Sequence, residues 1–231
     1  LGAEAKNKLL SELSELDQKR SKLAQKKGRL ILDLARERLI HSGLKKVETH
    51  LRNGDFVTTV TEYQDNSDLI IIGKRGEAAD FAKLHLGSNL ERLIRSTNKP
   101  VLVAARSFTP IKKVLVAFDG GHSSYGAIDY IASKKPYSEL ECQIVIVGEK
   151  GSRGHKQLIH AENLLKKAAV DYKIFIENGE PERVISDHVE NHGIDLLVMG
   201  AYGHSRIRNL IIGSTTTQMI RSCLVPVLLF R

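Results

Sequence analysis

Asp195-Leu196-Leu197-Val198-Met199-Gly200-Ala201-Tyr202-Gly203, continued by Gly213-Ser214-Thr215-Thr216, is the stretch whose reading decides the fold. The apolar run is too short for a helix and stops at a glycine, so it reads as a buried strand. Gly200 and Gly203 let the backbone turn sharply and approach a ligand with no Cβ in the way. Past nine more residues stands Gly213, then Ser214, Thr215, Thr216 and Thr217, and a helical pattern follows through Met219 and Ile220. Hydroxyls at a helix start, beside its free N–H groups, suit an anion such as phosphate. Read alone, the stretch also fits a loop with turn glycines and a Ser/Thr cap.

The same order occurs twice. In the second half a strand, Ile111–Asp119, ends in a carboxylate and precedes a helix around Tyr125–Ala132 and a strand at Gln143–Val147. A helix through Leu158, Leu165 and Ala168 then leads to the strand Tyr172–Ile176, the turn Asn178-Gly179 and a helix opened by Pro181. The first half carries Lys45–Arg52 as a strand, Asn53-Gly54 as its turn, a helix through Phe56–Tyr63, and the strand Asp68–Gly73. From Gly87-Ser88 to Pro100-Val101-Leu102 each residue has its counterpart 126 positions later: Arg95-Ser96 matches Arg221-Ser222, and Pro100 matches Pro226. Strands alternating with helices imply parallel sheets with ligands at their carboxyl edge. The expectation is therefore α/β, two tandem Rossmann-like units over residues 1–109 and 110–231. The first unit is expected to lack its N-terminal strands, as if the sequence began inside it.

The N-terminal region is a long amphipathic helix with Leu9, Leu13, Leu16, Leu23, Leu30 and Leu34 along one seam. Arg20 and Lys27 occupy two seam positions and Gly28 weakens the middle, so a bend or break between Ser21 and Gly28 is expected, with closure near Ser42-Gly43. The seam is expected to pack on the first repeat's sheet. Residues 1–50 supply 12 Lys/Arg against 7 Asp/Glu, or +5 of the net +8. Because acids alternate with the bases and no aromatics interleave, this reads as a solvated face rather than a nucleic-acid site. The two cysteines are no disulfide framework, and no run approaches the ~20 apolar residues of a membrane span. A cytoplasmic protein is expected.

Gly200-x2-Gly203-x9-Gly213-Ser214, with its flanking strands, resembles the ATP-binding motif of the universal stress proteins, and the resemblance runs through both repeats. It implies a tandem member of that family, binding ATP, with or without Mg2+, in its second repeat. By matching position, Asp119 with Ala117 and Phe118 would face the adenosine, and Val147 would pack near the base. Met199, Gly200 and Gly203 would line ribose and phosphates, while Gly213, Ser214, Thr215 and Thr216 would hold the phosphate chain. A Cβ at Gly213 is expected to crowd the phosphates and to strain any positive-φ backbone. Asp119 also reads as a cap before Ser123-Ser124, and Met199 as a core residue.

The first repeat departs from the motif. Ten residues separate Gly76 from Gly87, Asn89 and Leu90 replace Thr215 and Thr216, and Glu77 and Asp80 bring negative charge. It reads as degenerate and structural. His122 and His204 lie near the motif as acid–base candidates, but no catalytic set and no metal-ligand arrangement emerges among the histidines. Without a Walker-type segment a P-loop NTPase is disfavoured. The resulting expectation is a protein of stress resistance that acts by binding ATP, with the two repeats paired about a pseudo-twofold or the chain dimerised. The rival readings are a slow ATPase or adenylate-using enzyme, and a nucleotide-independent scaffold built on the long helix.

Overall fold

The computed structural model describes residues 2–74, 87–134, 140–149, 151, 153–202 and 212–231. They form two compact units, Leu1–Asp55 and Phe56–Arg231.

The first unit is helix α1 (Ala3–His41) and the irregular residues after it. The expected break is absent, and the helix runs unbroken through Gly28. One interior glycine costs only about 1 kcal/mol against alanine, and here it makes room: a Cβ on Gly28 would stand 2.8 Å from Leu51 Cδ1. The helix closes where expected. Gly43 N–H donates to the Ile40 carbonyl and Leu44 N–H to that of Leu39, the paired bonds of a Schellman motif. The seam leucines are exposed, Leu16 by 61% and Leu23 by 69%. One other expectation fails. Residues 45–52 form no strand. A strand is held by the ladder that satisfies its N–H and C=O groups, and among the described residues this segment has no ladder partner.

The second unit holds α2 (Phe56–Tyr63), β1 (Ile70–Gly73), α3 (Ser88–Ser96) and β2 (Val101–Ala104) from the first repeat. The second repeat adds β3 (Lys113–Ala117), α4 (His122–Ser133), β4 (Glu141–Val147), α5 (Arg153–Lys167) and β5 (Tyr172–Glu177), followed by α6 (Pro181–Asn191), β6 (Leu196–Gly200), α7 (Ser214–Ser222) and β7 (Val227–Phe230). The seven strands among the described residues join one sheet in the order β1-β2-β7-β6-β3-β4-β5. Every neighbouring pair is parallel except β2 and β7, the terminal strands of the two repeats, which run antiparallel. The two apolar edges thus cover each other, which removes bare ladder groups from both.

Side chains alternate across the sheet. Leu115, Val145, Leu197, Met199 and Leu229 pack on one face with Ile94 of α3, Ile185 of α6 and Ile220 of α7. Val114, Val116, Ile144, Val198 and Leu228 pack on the other with Ile128 of α4 and Leu165 of α5. Helices on both faces explain why the central strands read as continuous apolar runs. Among the described residues no helix is long and apolar enough to cross a membrane.

Candidate functional site at the carboxyl edge of β3 and β6

In the second repeat β3 lies between β6 and β4, so the winding reverses between β3 and β6. A crevice opens at such a reversal, outside the carboxyl ends of the strands. There the structure has a cavity of about 660 Å3. Ala117, Phe118 and Asp119 reach it from the end of β3, Val147 from β4, Met199 and Gly200 from β6, and Gly213, Ser214, Thr215 and Thr216 from the start of α7. These are the sequence-predicted residues apart from Gly203, which lies outside the described residues.

Each local geometry has a cause. Gly200 is needed for space, because a Cβ there would stand 3.0 Å from Ser123 Cβ at the start of α4. The excursion after β6 is pinned at both ends. Ala201 N–H donates to the Phe230 carbonyl at 2.7 Å, and on the return Gly213 N–H donates to the Ala201 carbonyl at 3.1 Å. Gly213 itself has φ −57° and ψ 146°, open to any residue, so the positive-φ strain expected there does not arise. Gly87 of the first repeat is alike, at φ −56° and ψ 128°. Met199 is 5% exposed, and thus both a core residue and part of the cavity wall.

Asp119 is the cap expected of it, and it also borders the cavity. Its Oδ1 accepts from Gly121 N–H and from Ser124 Oγ, each at 2.8 Å, which ties down the start of α4. The hydroxyls at α7 divide. Thr216 Oγ1 donates to the Gly200 carbonyl at 3.0 Å, and Thr215 Oγ1 donates to Glu182 Oε1 at 2.8 Å. Ser214 is exposed at the first helical position. The Gly213 cap offers no side-chain bond, so among the described residues no capping side chain satisfies the first-turn N–H groups of α7.

Val145, Pro181, Ile185, Tyr202 and Ile212 also line the cavity, and sequence reasoning left them out. Pro181 carries a usable signal, since it opens the helix after β5 and so stands at the same edge of the sheet. Tyr202 reaches across the repeats. Its hydroxyl donates to the Ile94 carbonyl of α3 at 3.2 Å, and burial pushes its pKa up. His122 is exposed and not part of the cavity wall, and His204 lies outside the described residues. Glu77 and Asp80 of the first repeat lie outside them as well.

The cavity therefore has an apolar wall (Phe118, Val145, Val147, Ile185, Met199) and a polar end at an uncapped helix start. An apolar pocket with a few placed donors suits a small ligand that is apolar at one end and anionic at the other. A base with a phosphate meets that description.

The fold and site place the chain in the doubly wound α/β class. A model of the universal stress protein family matches residues 3–105 and 148–231. The chain is 39% identical over 233 residues to a universal stress protein of Synechocystis sp., covering 100% of this chain and 81% of that protein. It is 25% identical over 145 residues to one of Bacillus subtilis, covering 52% of this chain and 98% of that protein. The crystal structure of a universal stress protein from Archaeoglobus fulgidus superposes with a TM-score of 0.73 at 25% identity, covering 90% of this chain and 77% of that one. The chain belongs to the universal stress protein family.

Proposed function

We propose that the second repeat binds an adenine nucleotide, ATP, in the cavity between the ends of β3 and β6, and that the protein serves stress resistance by binding rather than turnover. The carrying observation is the uncapped, hydroxyl-bearing start of α7 opening onto a cavity whose other wall is apolar. The apolar wall takes the base, Asp119 lies on the adenosine side, and the first turn of α7 with Ser214 takes the phosphates. Mg2+, where it accompanies ATP, neutralises phosphate charge. In this reading residues 1–109 and 110–231 are the two repeats, and only the second is a ligand-binding domain. A cytoplasmic location accords with two free, buried thiols, Cys142 and Cys223.

The test is whether purified protein carries a nucleotide, read by absorbance and mass spectrometry after denaturation, followed by titration of the stripped protein. Adenine nucleotide at close to one per chain is expected. A stripped protein that binds none would overturn the reading.

A further inference from the structure

We infer that Glu182 is a specificity-determining residue of this cavity, setting it against a bare triphosphate chain. In this form the site takes a nucleotide whose phosphate charge is low, or one neutralised by a divalent cation. The inference rests on the nucleotide reading above.

Glu182 stands in the first turn of α6, directly after the cavity residue Pro181. An acid at a helix start is ordinary on its own. This one reaches across to another helix. Its Oε1 accepts the Thr215 hydroxyl at 2.8 Å, and Thr215 is the second residue of α7 and part of the cavity wall.

Two consequences follow from the chemistry of the pair. A hydroxyl has one proton to donate, and in this structure the Thr215 proton goes to Glu182 and not into the cavity. The carboxylate is also a fixed negative charge held against the very helix turn that would receive phosphate. Among the described residues lining the cavity there is neither Lys nor Arg, and the one charged lining side chain is Asp119, a second acid. The described part of the site thus offers phosphate N–H dipoles and hydroxyls but no compensating cation. Repulsion from Glu182 scales with the charge on the ligand, so it bears on metal-free ATP more than on AMP or on the magnesium complex of ATP.

The experiment is titration calorimetry of the whole chain with metal-free ATP, ATP with Mg2+, and AMP, comparing wild type with Glu182→Gln. Gln keeps an acceptor for Thr215 and removes only the charge. Wild type is expected to bind metal-free ATP more weakly than the magnesium complex or AMP. In Glu182→Gln the affinity for metal-free ATP should rise about tenfold while that for AMP changes less than about threefold. A second variant, Thr215→Val, breaks the hydrogen bond but keeps the charge, and should retain the wild-type order of ligands. A merely structural role for Glu182 would move all three ligands together. Equal changes for ATP and AMP, or a loss of discrimination in Thr215→Val, overturn the inference and leave nucleotide binding standing. No heat with any nucleotide in wild type overturns both.

Discussion

Leu102 and Leu228 lie directly opposite each other in the antiparallel pair of β2 and β7, and each is the other's counterpart in the repeat. Val101 then faces Leu229 and Val103 faces Val227, so the ladder is symmetric about the Leu102–Leu228 pair. The repeat in the sequence is a pseudo-twofold in the fold, with its axis at these two side chains.

The symmetry is not energetic. Leu228 is fully buried, whereas Leu102 is half-buried. Leu228→Ala should therefore destabilise by about 2–5 kcal/mol, as full burial with a residual cavity implies, and Leu102→Ala by distinctly less. Chemical denaturation of both variants decides it. Equal losses would mean that the two sides of the junction are packed alike.

At Gly200 the constraint is steric. Gly200→Ala places a methyl 3.0 Å from Ser123 Cβ, so α4 or the end of β6 has to shift. Overpacking of this kind costs about 1–3 kcal/mol. The double variant Gly200→Ala with Ser123→Gly should recover much of the lost melting temperature. A Gly200→Ala protein as stable as wild type would show that the contact yields freely.

Nucleotide affinity should depend on the second repeat alone. Ser214→Ala removes a hydroxyl donor to a charged group, a loss of about 1.5–3 kcal/mol, or roughly ten- to a hundredfold in affinity. Ser88→Ala should leave affinity unchanged. Gly213→Ala should fold normally, because its backbone has an ordinary negative φ, and any weakening it causes reports on close approach of ligand. Titration calorimetry on these variants tests the assignment, and two equivalent sites per chain would refute it.

His188 supplies a pH dependence of stability. Its side chain is buried, stacked on His192 at 3.9 Å between ring centroids, with Nε2 donating to Gln143 Oε1 at 2.8 Å and Nδ1 3.2 Å from Glu177 Oε1. Burial lowers its pKa, the Glu177 carboxylate opposes that, and His192 adds to the lowering. A histidine with a lowered folded pKa binds a proton more readily unfolded. Stability is then flat above the unfolded value of about 6.5 and falls as pH drops from there towards the folded pKa. Thermal melts between pH 7.5 and 5 should show this acid loss, and His188→Gln should reduce it. Glu177→Gln, which removes the opposing carboxylate, should enlarge it.

The repeat was legible because equivalent positions keep equivalent duties. Pro100 and Pro226 each precede a terminal strand, and Gly54 and Gly179 both take positive φ after an asparagine. The cavity was legible where chain neighbours share an edge, as at Ala117–Asp119 and Met199–Gly200. What escaped was non-local. Residues 45–52 have strand-like alternation, but a strand exists only with a partner, and periodicity does not supply one. Glu182 lies 33 positions from Thr215 and meets it only because α6 and α7 pack side by side. The backbone at Gly213 was open in the sequence, because a glycine permits positive φ without requiring it.

The single antiparallel junction has a geometric consequence for ligands. Val103, near the carboxyl end of β2, pairs with Val227 at the start of β7. The carboxyl ends of β1 and β2 therefore open on the opposite rim of the sheet from those of β3 and β6. A ligand at the rim of one repeat and a ligand at the rim of the other would be separated by the full length of the strands, about 13 Å for four residues. The repeats are nonetheless joined at two places: through the ladder at Leu102 and Leu228, and through the Tyr202 hydroxyl, which reaches from the β6 rim to the Ile94 carbonyl of α3.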